Sequence, residues 1–258
     1  MEQLRISAKQ LGNLAKENFC PRCFYLGYKI HFKYPGAIFA GILSKMDAIQ
    51  KKSVVKYYEK NGHLPQWLEA EGIIGKPLKS PGPKRFTTTI NGIVISGSID
   101  LLLETPTGEL IIIDFKTSSP KNGYDPFMPV YEVQLQGYAK IAEDMGLGKV
   151  AGIYLVYFSA KTQVEEDNVM DYVGEEQLQV SFDIEVKKLD LKPEETLPPL
   201  IEAFKEIITA EEIPEGQPGC SECEKLDMIL DLLAPEKADK RMESEEQPLE
   251  TRGLMVEN

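Results

Sequence analysis

The sequence predicts an α/β fold in which a mixed central β-sheet is flanked by helices. The segment 86–104 alternates apolar and polar residues around Asn91-Gly92, the residue pair most typical of a tight β-hairpin. We expect two antiparallel strands here, the second continuing to Glu104. Two apolar runs, at 109–115 and 150–158, follow and are separated by a segment of helical periodicity at 129–145. A strand, helix, strand order after a hairpin predicts a sheet with antiparallel and parallel neighbours, packed against a crossover helix.

The chain divides into four parts by composition and periodicity. Residues 1–85 are predicted to be helical and basic, and they contain the motif CPRC. Residues 86–190 form the predicted α/β core, and residues 191–234 supply a C-terminal helix and the motif CSEC. Residues 235–258 are charged, nearly free of aromatic residues and without periodicity, so we expect a disordered acidic tail.

Charge is distributed unevenly along the chain of 258 residues, whose net charge is -12. Residues 1–85 hold 15 Lys and Arg against 6 Asp and Glu, a charge of +9, and the remainder carries -21. The basic part can bind a polyanion, with Lys45, Lys84 and Arg85 as candidate DNA contacts, or its lysines can form a solvated helix face. No leader-like start and no stretch of roughly 18 apolar residues is present, which predicts a cytoplasmic protein without a membrane partner.

Two acidic residues and a lysine are the candidate catalytic groups. Residues two apart in a strand project to the same side, so Asp114 and Lys116 should lie together at the end of the most apolar strand. Asp100, on the preceding strand, can share a divalent cation with Asp114, and the carbonyl of Phe115 is available as a third oxygen ligand. Such a cation lowers the pKa of bound water and polarises a phosphodiester. The alternative is a solvated Asp-Lys pair, with Asp100 preparing the following turn.

Two polar residues on the predicted helix at 129–145 add to this candidate site. Gln134 and Tyr138 are four residues apart, so both can point from one helix face towards the strand that carries Asp114. The alternative for Tyr138 is a core aromatic ring with its hydroxyl group at the protein surface.

Three motifs resemble the RecB-type branch of the PD-(D/E)XK nuclease superfamily in their order and spacing. They are GSID at 97–100, DFKT at 114–117 and QLQGY at 134–138. The resemblance implies a restriction-endonuclease-like fold and a hydrolase that cleaves DNA with Mg²⁺ or Mn²⁺. It also implies that the two acids hold the metal ion, that the lysine assists the attacking water and that the glutamine and tyrosine line the cleft. These roles fall on Asp100, Asp114, Lys116, Gln134 and Tyr138.

One position departs from the family pattern. Many of these nucleases carry Gly-x-x-x-His on the helix before the sheet, and the histidine is an additional metal ligand. In this chain the spacing from Gly41 gives Lys45, with Asp47 two residues later. Either Asp47 substitutes as an oxygen ligand, or the metal is bound more weakly, or activity is reduced; we expect activity to survive.

Four cysteines form two pairs, Cys20 with Cys23 and Cys220 with Cys223. Two-residue gaps let both thiolates of a pair face one metal centre, and four thiolates complete a tetrahedral set. Spacing alone leaves zinc and iron-sulfur open. The segment at 19–28 resembles the N-terminal cysteine segment of CRISPR-associated and AddB-like nucleases, which implies a [4Fe-4S] cluster, with Zn²⁺ as the alternative. Those nucleases use one early and three late cysteines, whereas this chain has two of each.

The sequence therefore predicts a metal-dependent deoxyribonuclease, and the resemblance implies an exonuclease that acts on single-stranded ends. The resemblance implies a role in DNA repair, recombination or CRISPR adaptation. One alternative is an inactive nucleic-acid-binding protein of the same fold, which the missing histidine motivates. Another is a zinc-stapled scaffold that binds a protein partner through its acidic C-terminal segment.

Overall fold

The computed structural model describes residues 3–31, 41–118, 120, 123–161 and 169–234, so the predicted tail at 235–258 lies outside the described residues. In this part of the chain the α-helices are α1 (Ala8–Gly12), α2 (Pro21–Lys29), α3 (Gly41–Asn61), α4 (Gln66–Glu69), α5 (Met128–Asp144), α6 (Pro193–Thr209) and α7 (Ser221–Leu233). The β-strands are β1 (Arg5–Ser7), β2 (Lys76–Leu78), β3 (Thr87–Ile90), β4 (Ile93–Ser96), β5 (Leu101–Glu104), β6 (Leu110–Lys116), β7 (Val150–Ala160) and β8 (Phe182–Leu189).

The strands form two mixed sheets. The larger has the order β2-β5-β6-β7-β8, with a parallel β6–β7 pair and antiparallel neighbours elsewhere. The smaller has the order β1-β4-β3, in which β1 runs parallel to β4. The predicted α/β class with mixed pairing and flanking helices is confirmed, although the strands belong to two sheets and not to one.

The predicted hairpin forms between β3 and β4. Asn91 and Gly92 take φ values of 49° and 80°, as a tight hairpin turn requires. The prediction that the second strand continues to Glu104 is wrong, because β4 ends at Ser96 and β5 belongs to the other sheet. Gly97 lies at the break, and a Cβ atom there would come within 2.6 Å of the Tyr138 ring. The chain thus leaves the smaller sheet where α5 packs closely against it.

The central strand β6 is covered on both faces. One face joins a buried cluster with residues of α3, α4 and the neighbouring strands; its members are Val54, Leu64, Leu68, Ile73, Leu101, Leu103, Ile111, Ile113, Phe115, Tyr154 and Val156. The alternate residues of β6 face α5, the crossover helix between the parallel strands β6 and β7. This double coverage explains the continuous apolar run of the strand.

The first helix packs closely across α5 through small residues. Ser7 caps α1 by accepting a hydrogen bond from the backbone of Gln10 at 3.1 Å. A Cβ atom on Gly12 would lie 2.5 Å from the carbonyl oxygen of Val130, and one on Gly137 would lie 2.5 Å from Cβ of Ala8. These glycines therefore bring the N-terminal segment next to the helix that carries Gln134.

Two compact units can be distinguished. The first contains residues 1–19 and 36–209, with both sheets, and the second contains residues 20–35 and 210–258, with α2 and α7. The domain limits at 85, 190 and 234 stay a prediction. Among the described residues, no helix is long and apolar enough to cross a membrane.

Candidate functional site

Asp114 lies on β6 and is almost completely buried, with 2% of its surface exposed. Its Oδ1 accepts a hydrogen bond of 2.9 Å from Nε2 of Gln134. Its Oδ2 forms an ion pair with Nζ of Lys116 at 2.5 Å. Burial raises the pKa of the Asp114 carboxyl group to about 6, against the lowering effect of Lys116, and Asp100 raises it further.

Asp100 precedes β5 and lies beside Asp114, because Leu101 pairs with Ile113 in the antiparallel register. Its Oδ2 accepts a hydrogen bond of 3.0 Å from the backbone N–H of Phe115. Its Oδ1 lies 2.8 Å from Nζ of Lys51 on α3. Both acids therefore occur at the same end of the sheet.

Gln134 and Tyr138 on α5 complete a buried polar chain with the strand residues. Oε1 of Gln134 accepts a hydrogen bond of 3.2 Å from Nζ of Lys116, and its Nε2 lies 2.7 Å from the Tyr138 hydroxyl group. Tyr138 is 4% exposed, so its hydroxyl group does not lie at the surface. Burial first, and then the charge of Asp114, raises the pKa of Tyr138. The structure thus brings four predicted residues together in one network.

Lys51 is a residue of this site that the sequence interpretation missed. Its ammonium group lies 2.8 Å from Asp100 and also 2.8 Å from Oδ1 of Asp47. Asp47 and Lys51 are four residues apart on α3, and this spacing could have identified Lys51 once Asp47 was a candidate. Asp47 and Asp100 therefore contact the same ammonium group.

Tyr131 was also missed. Nζ of Lys116 lies 4.0 Å from the centroid of its ring. Burial, and then Asp125, raises the pKa of Tyr131 to about 12, so the hydroxyl group stays neutral at physiological pH. Tyr131 precedes Gln134 by three residues, so the same helical periodicity that selected Gln134 would have selected it.

The predicted DNA contacts take different positions. Lys84 and Arg85 are exposed and directly precede Phe86, whose ring centroid lies 6.0 Å from that of Tyr138. The two basic residues therefore lie next in sequence to a ring that packs against Tyr138. Lys45 is exposed in the N-terminal part of α3.

The acids fit a hard divalent cation in their chemistry, although lysines contact them here. Among the described residues, the four cysteines are the only group of three or more metal-ligating side chains close enough together to hold one ion. Asp47, Asp100 and Asp114 are instead paired with Lys51 and Lys116. The buried Oδ2 of Asp114 is occupied by the ammonium group of Lys116, and it is an oxygen ligand of the kind that a hard divalent cation prefers.

The four cysteines converge within the second unit. Sγ of Cys223 lies 3.5 Å from that of Cys20 and 3.5 Å from that of Cys23, and Cys23 and Cys220 are 3.7 Å apart. All four sulfur atoms lie within 4.8 Å of one another. Cys20 and Cys220 are the N-cap residues of α2 and α7, and Arg22 and Asp227 join these helices through two hydrogen bonds of 2.7 and 3.1 Å.

Hydrogen bonding favours a thiolate at one of these positions. Burial opposes ionisation of Cys20, but the backbone N–H groups of Cys23 and Gln217 outweigh it and lower the Cys20 pKa to about 7. Burial and the neighbouring thiols raise the pKa of Cys223. A bound cation would favour the thiolate form of the other cysteines as well.

The sulfur spacing fits a single tetrahedral ion. Four ligands at a Zn–S distance of about 2.3 Å place their sulfur atoms about 3.8 Å apart. Three of the sulfur–sulfur separations, at 3.5 to 3.7 Å, lie close to this value, and the others stay within 4.8 Å.

Comparison with known proteins identifies the family of the chain. The model of the PD-(D/E)XK nuclease superfamily matches residues 42–227, which include the acids, Lys116, Gln134 and Tyr138. Among solved structures, "Crystal structure of SSO0001" is similar at 14% identity, covering 83% of this chain and 80% of that chain with a TM-score of 0.42. No curated protein matches the chain. Because the family model spans well over half of the sequence, the chain belongs to the PD-(D/E)XK nuclease superfamily.

Proposed function

We propose that this protein is a divalent-metal-dependent deoxyribonuclease that hydrolyses phosphodiester bonds. The observation that carries the proposal is the buried network in which Asp114 contacts both Lys116 and Gln134, beside Asp100 on the neighbouring strand. A buried carboxylate with a raised pKa, set between a lysine and a second carboxylate, is typical of catalytic sites and supports the proposal.

Asp100 and Asp114 are the proposed ligands of Mg²⁺ or Mn²⁺. The N–H of Phe115 points to Asp100, and the carbonyl group of an extended residue points to the same neighbouring strand as its N–H. That carbonyl is therefore the proposed third ligand. When bound, the ion lowers the pKa of a coordinated water and polarises the phosphate. Asp47 is proposed as a further oxygen ligand in place of the family histidine, because it shares Lys51 with Asp100.

Lys116 is the proposed group that orients the attacking water. Its ammonium group is restrained by Asp114 at 2.5 Å and by Oε1 of Gln134 at 3.2 Å. Gln134 in turn is fixed by the hydroxyl group of Tyr138. A lysine with two short polar partners points in one direction, which is what water orientation requires.

The substrate is proposed to be single-stranded DNA, cut from an end, by a member of the RecB-type branch. The motif order supports the branch, and the exposed Lys84, Arg85 and Lys45 support contacts to phosphates. Roles in repair, recombination or CRISPR adaptation, and a protein partner for the acidic C-terminal segment, stay proposals from the sequence.

Cleavage of end-labelled DNA tests the activity. Single- and double-stranded oligonucleotides are incubated with Mg²⁺ or Mn²⁺, and products are resolved on denaturing gels. We expect Asp114→Asn and Lys116→Met each to lower the rate at least about 100-fold. Asp183→Asn is the matched control, since Asp183 is exposed on β8 and forms its ion pair with the surface residue Lys161, at 3.2 Å.

The rival functions give different results in the same experiment. DNA binding without products at any metal concentration, unchanged by Asp114→Asn, would identify an inactive binding protein. Absence of DNA binding at low salt would identify a scaffold.

For the four cysteines we propose a single Zn²⁺ ion, because their sulfur spacing matches tetrahedral coordination by one ion. The [4Fe-4S] prediction is tested by the same measurement. Protein purified without oxygen should be colourless and contain one zinc per chain. A brown protein with a broad band near roughly 400 nm would instead establish an iron-sulfur cluster.

A further inference from the structure

A pair of aromatic rings, one exposed and one half-buried, lies beside the candidate catalytic lysine. We call Phe127 and Tyr131 the aromatic step; Phe127 caps α5, and Tyr131 lies one turn later. Their ring centroids are 6.3 Å apart and the ring planes differ by 26°, which is a parallel, offset arrangement. Phe127 is 48% exposed. The step therefore presents aromatic surface to solvent next to the site.

Each ring of the aromatic step has a lysine at its face. Nζ of Lys116 lies 4.0 Å from the centroid of Tyr131, and Nζ of Lys16 lies 5.2 Å from that of Phe127. Lys9 is close enough to lower the pKa of Lys16 after burial, and also acts on Asp114. Positive charge thus surrounds both the rings and the acids, and this charge complements a polyanion.

The aromatic step is fixed in place by a buried acid. Asp125 is 8% exposed, and its Oδ1 accepts a hydrogen bond of 2.8 Å from the backbone N–H of Phe127. Its Oδ2 accepts one of 3.0 Å from the hydroxyl group of Tyr157, a fully buried residue of β7. The backbone under Phe127 is therefore anchored to the central sheet, although the ring itself remains exposed.

Helix stability alone does not explain this surface. An aromatic pair four residues apart stabilises a helix only slightly, and the stabilisation is largest when both rings are covered. Bases of single-stranded nucleic acid, in contrast, stack on exposed aromatic rings beside basic groups. Bases inside a duplex have no face available for such stacking.

We propose that the aromatic step binds nucleobases of a single strand whose phosphate lies at Lys116, with Lys16 and Lys9 contacting neighbouring phosphates. The inference rests on the proposed function and deepens it, because it assigns the single-strand preference to named residues. Phe127 stacks a base outside the cleavage point, and Tyr131 restrains Lys116 while forming the inner edge of the step.

Binding is measured with fluorescent oligonucleotides in Ca²⁺, an ion chosen to limit cleavage, using single-stranded DNA, an abasic strand of equal length and a duplex. We expect Phe127→Leu to weaken binding of the base-containing strand roughly 5- to 100-fold and to leave the abasic strand and the duplex unchanged. Lys16→Met should weaken all three. Tyr57→Leu is the control. Tyr57 is a 39%-exposed tyrosine near the C-terminal end of α3, and its ring contacts that of His63.

A direct reading uses the single tryptophan of the chain. In a Trp67→Phe background, Phe127→Trp places the only tryptophan in the aromatic step. Its fluorescence should be quenched by the base-containing strand and not by the abasic strand. Equal loss of binding for both strands in Phe127→Leu, or no quenching difference, would overturn the inference.

The outcomes separate this inference from the proposed activity. If wild-type protein cleaves DNA and Phe127→Leu binds all three ligands normally, base binding by the aromatic step is refuted and the nuclease activity is not. If base-dependent binding is seen without cleavage under any metal, the activity fails and the step stands. Wild-type protein that binds no single-stranded DNA refutes both.

Discussion

Nζ of Lys51 lies 2.8 Å from Oδ1 of Asp100, and the same ammonium group contacts Oδ1 of Asp47 at 2.8 Å. The ammonium group of Lys51 therefore neutralises two carboxylates that are proposed ligands of a divalent metal ion. A divalent ion that binds Asp100 must compete with Lys51 or displace it. This relationship makes Lys51 a determinant of metal affinity in the proposed nuclease.

Replacing Lys51 should reveal the competition. In Lys51→Met the Asp100 side chain, which is 9% exposed, loses its ion-pair partner, so we expect a lower melting temperature without added metal. Mn²⁺ should restore more stability than it does in wild type, and its apparent affinity should rise severalfold. Thermal melting across a Mn²⁺ titration measures both. Lys52→Met, at the exposed neighbouring position, should behave like wild type; equal metal affinity in both variants would contradict the competition.

The pKa of Asp114 predicts how metal binding depends on pH. Burial raises this pKa to about 6, so below pH 6 most of the protein carries a protonated carboxyl group that a cation must deprotonate. The apparent Mg²⁺ affinity should therefore fall about tenfold per pH unit below 6 and level off above 7. Calorimetric titration between pH 5 and 8 measures this, with Asp114→Asn as control. A flat profile in wild type would rule out Asp114 as the titrating ligand.

Gln134 should act by positioning the ammonium group of Lys116 and the carboxylate of Asp114. Gln134→Met removes the bonds to Asp114, Lys116 and Tyr138 at nearly constant volume. We expect kcat to fall roughly 10- to 100-fold with a smaller change in KM. Its matched control is Gln136→Met on the same helix, because buried Gln136 forms its side-chain hydrogen bonds with the backbone of Asp190 and Lys192.

The two glutamine variants separate a positioning role from a structural one. Both substitutions leave buried polar groups unsatisfied, so both should lower the melting temperature. Only Gln134→Met should change kcat per folded molecule. Equal losses of activity in the two variants would show that Gln134 contributes only to folding.

The sequence predicted features that depend on local spacing. Asn91-Gly92 defined the hairpin because few residue pairs tolerate two successive positive φ values. The grouping of Gln134 and Tyr138 followed from helical periodicity, and that of Asp114 and Lys116 from strand alternation. Each of these predictions requires only neighbours within one element.

Features that depend on tertiary packing were not predictable in the same way. The end of β4 at Ser96 depends on how closely Tyr138 approaches Gly97, a contact between residues 41 positions apart. The role of Lys51 depends on where α3 crosses the sheet, since its partner Asp100 lies on another element. Periodicity shows which face of α3 is polar and does not show which strand that face meets.

Gly216 should control metal occupancy of the four-cysteine site without being a ligand. A Cβ atom at this position would lie 2.8 Å from Sγ of Cys223, which is closer than packed atoms allow, and 3.4 Å from its Cβ. Gly216→Ala therefore requires a shift of the Gly216 backbone or of Cys223, whose sulfur lies 3.5 Å from those of Cys20 and Cys23. We expect less than one metal ion per chain, and faster metal loss to a chelator than in wild type.

Metal content measured by mass spectrometry and release followed with a colorimetric chelator test this expectation. Gly82→Ala is the matched control, because a Cβ atom there meets nothing within 4 Å. Since the mutated residue lies in the second unit and the acids lie in the first, the Mn²⁺ affinity of the nuclease site provides an independent reading. Full metal occupancy with unchanged release in Gly216→Ala would show that the thiols are not constrained by this contact, and would remove the geometric support for a single tetrahedral ion.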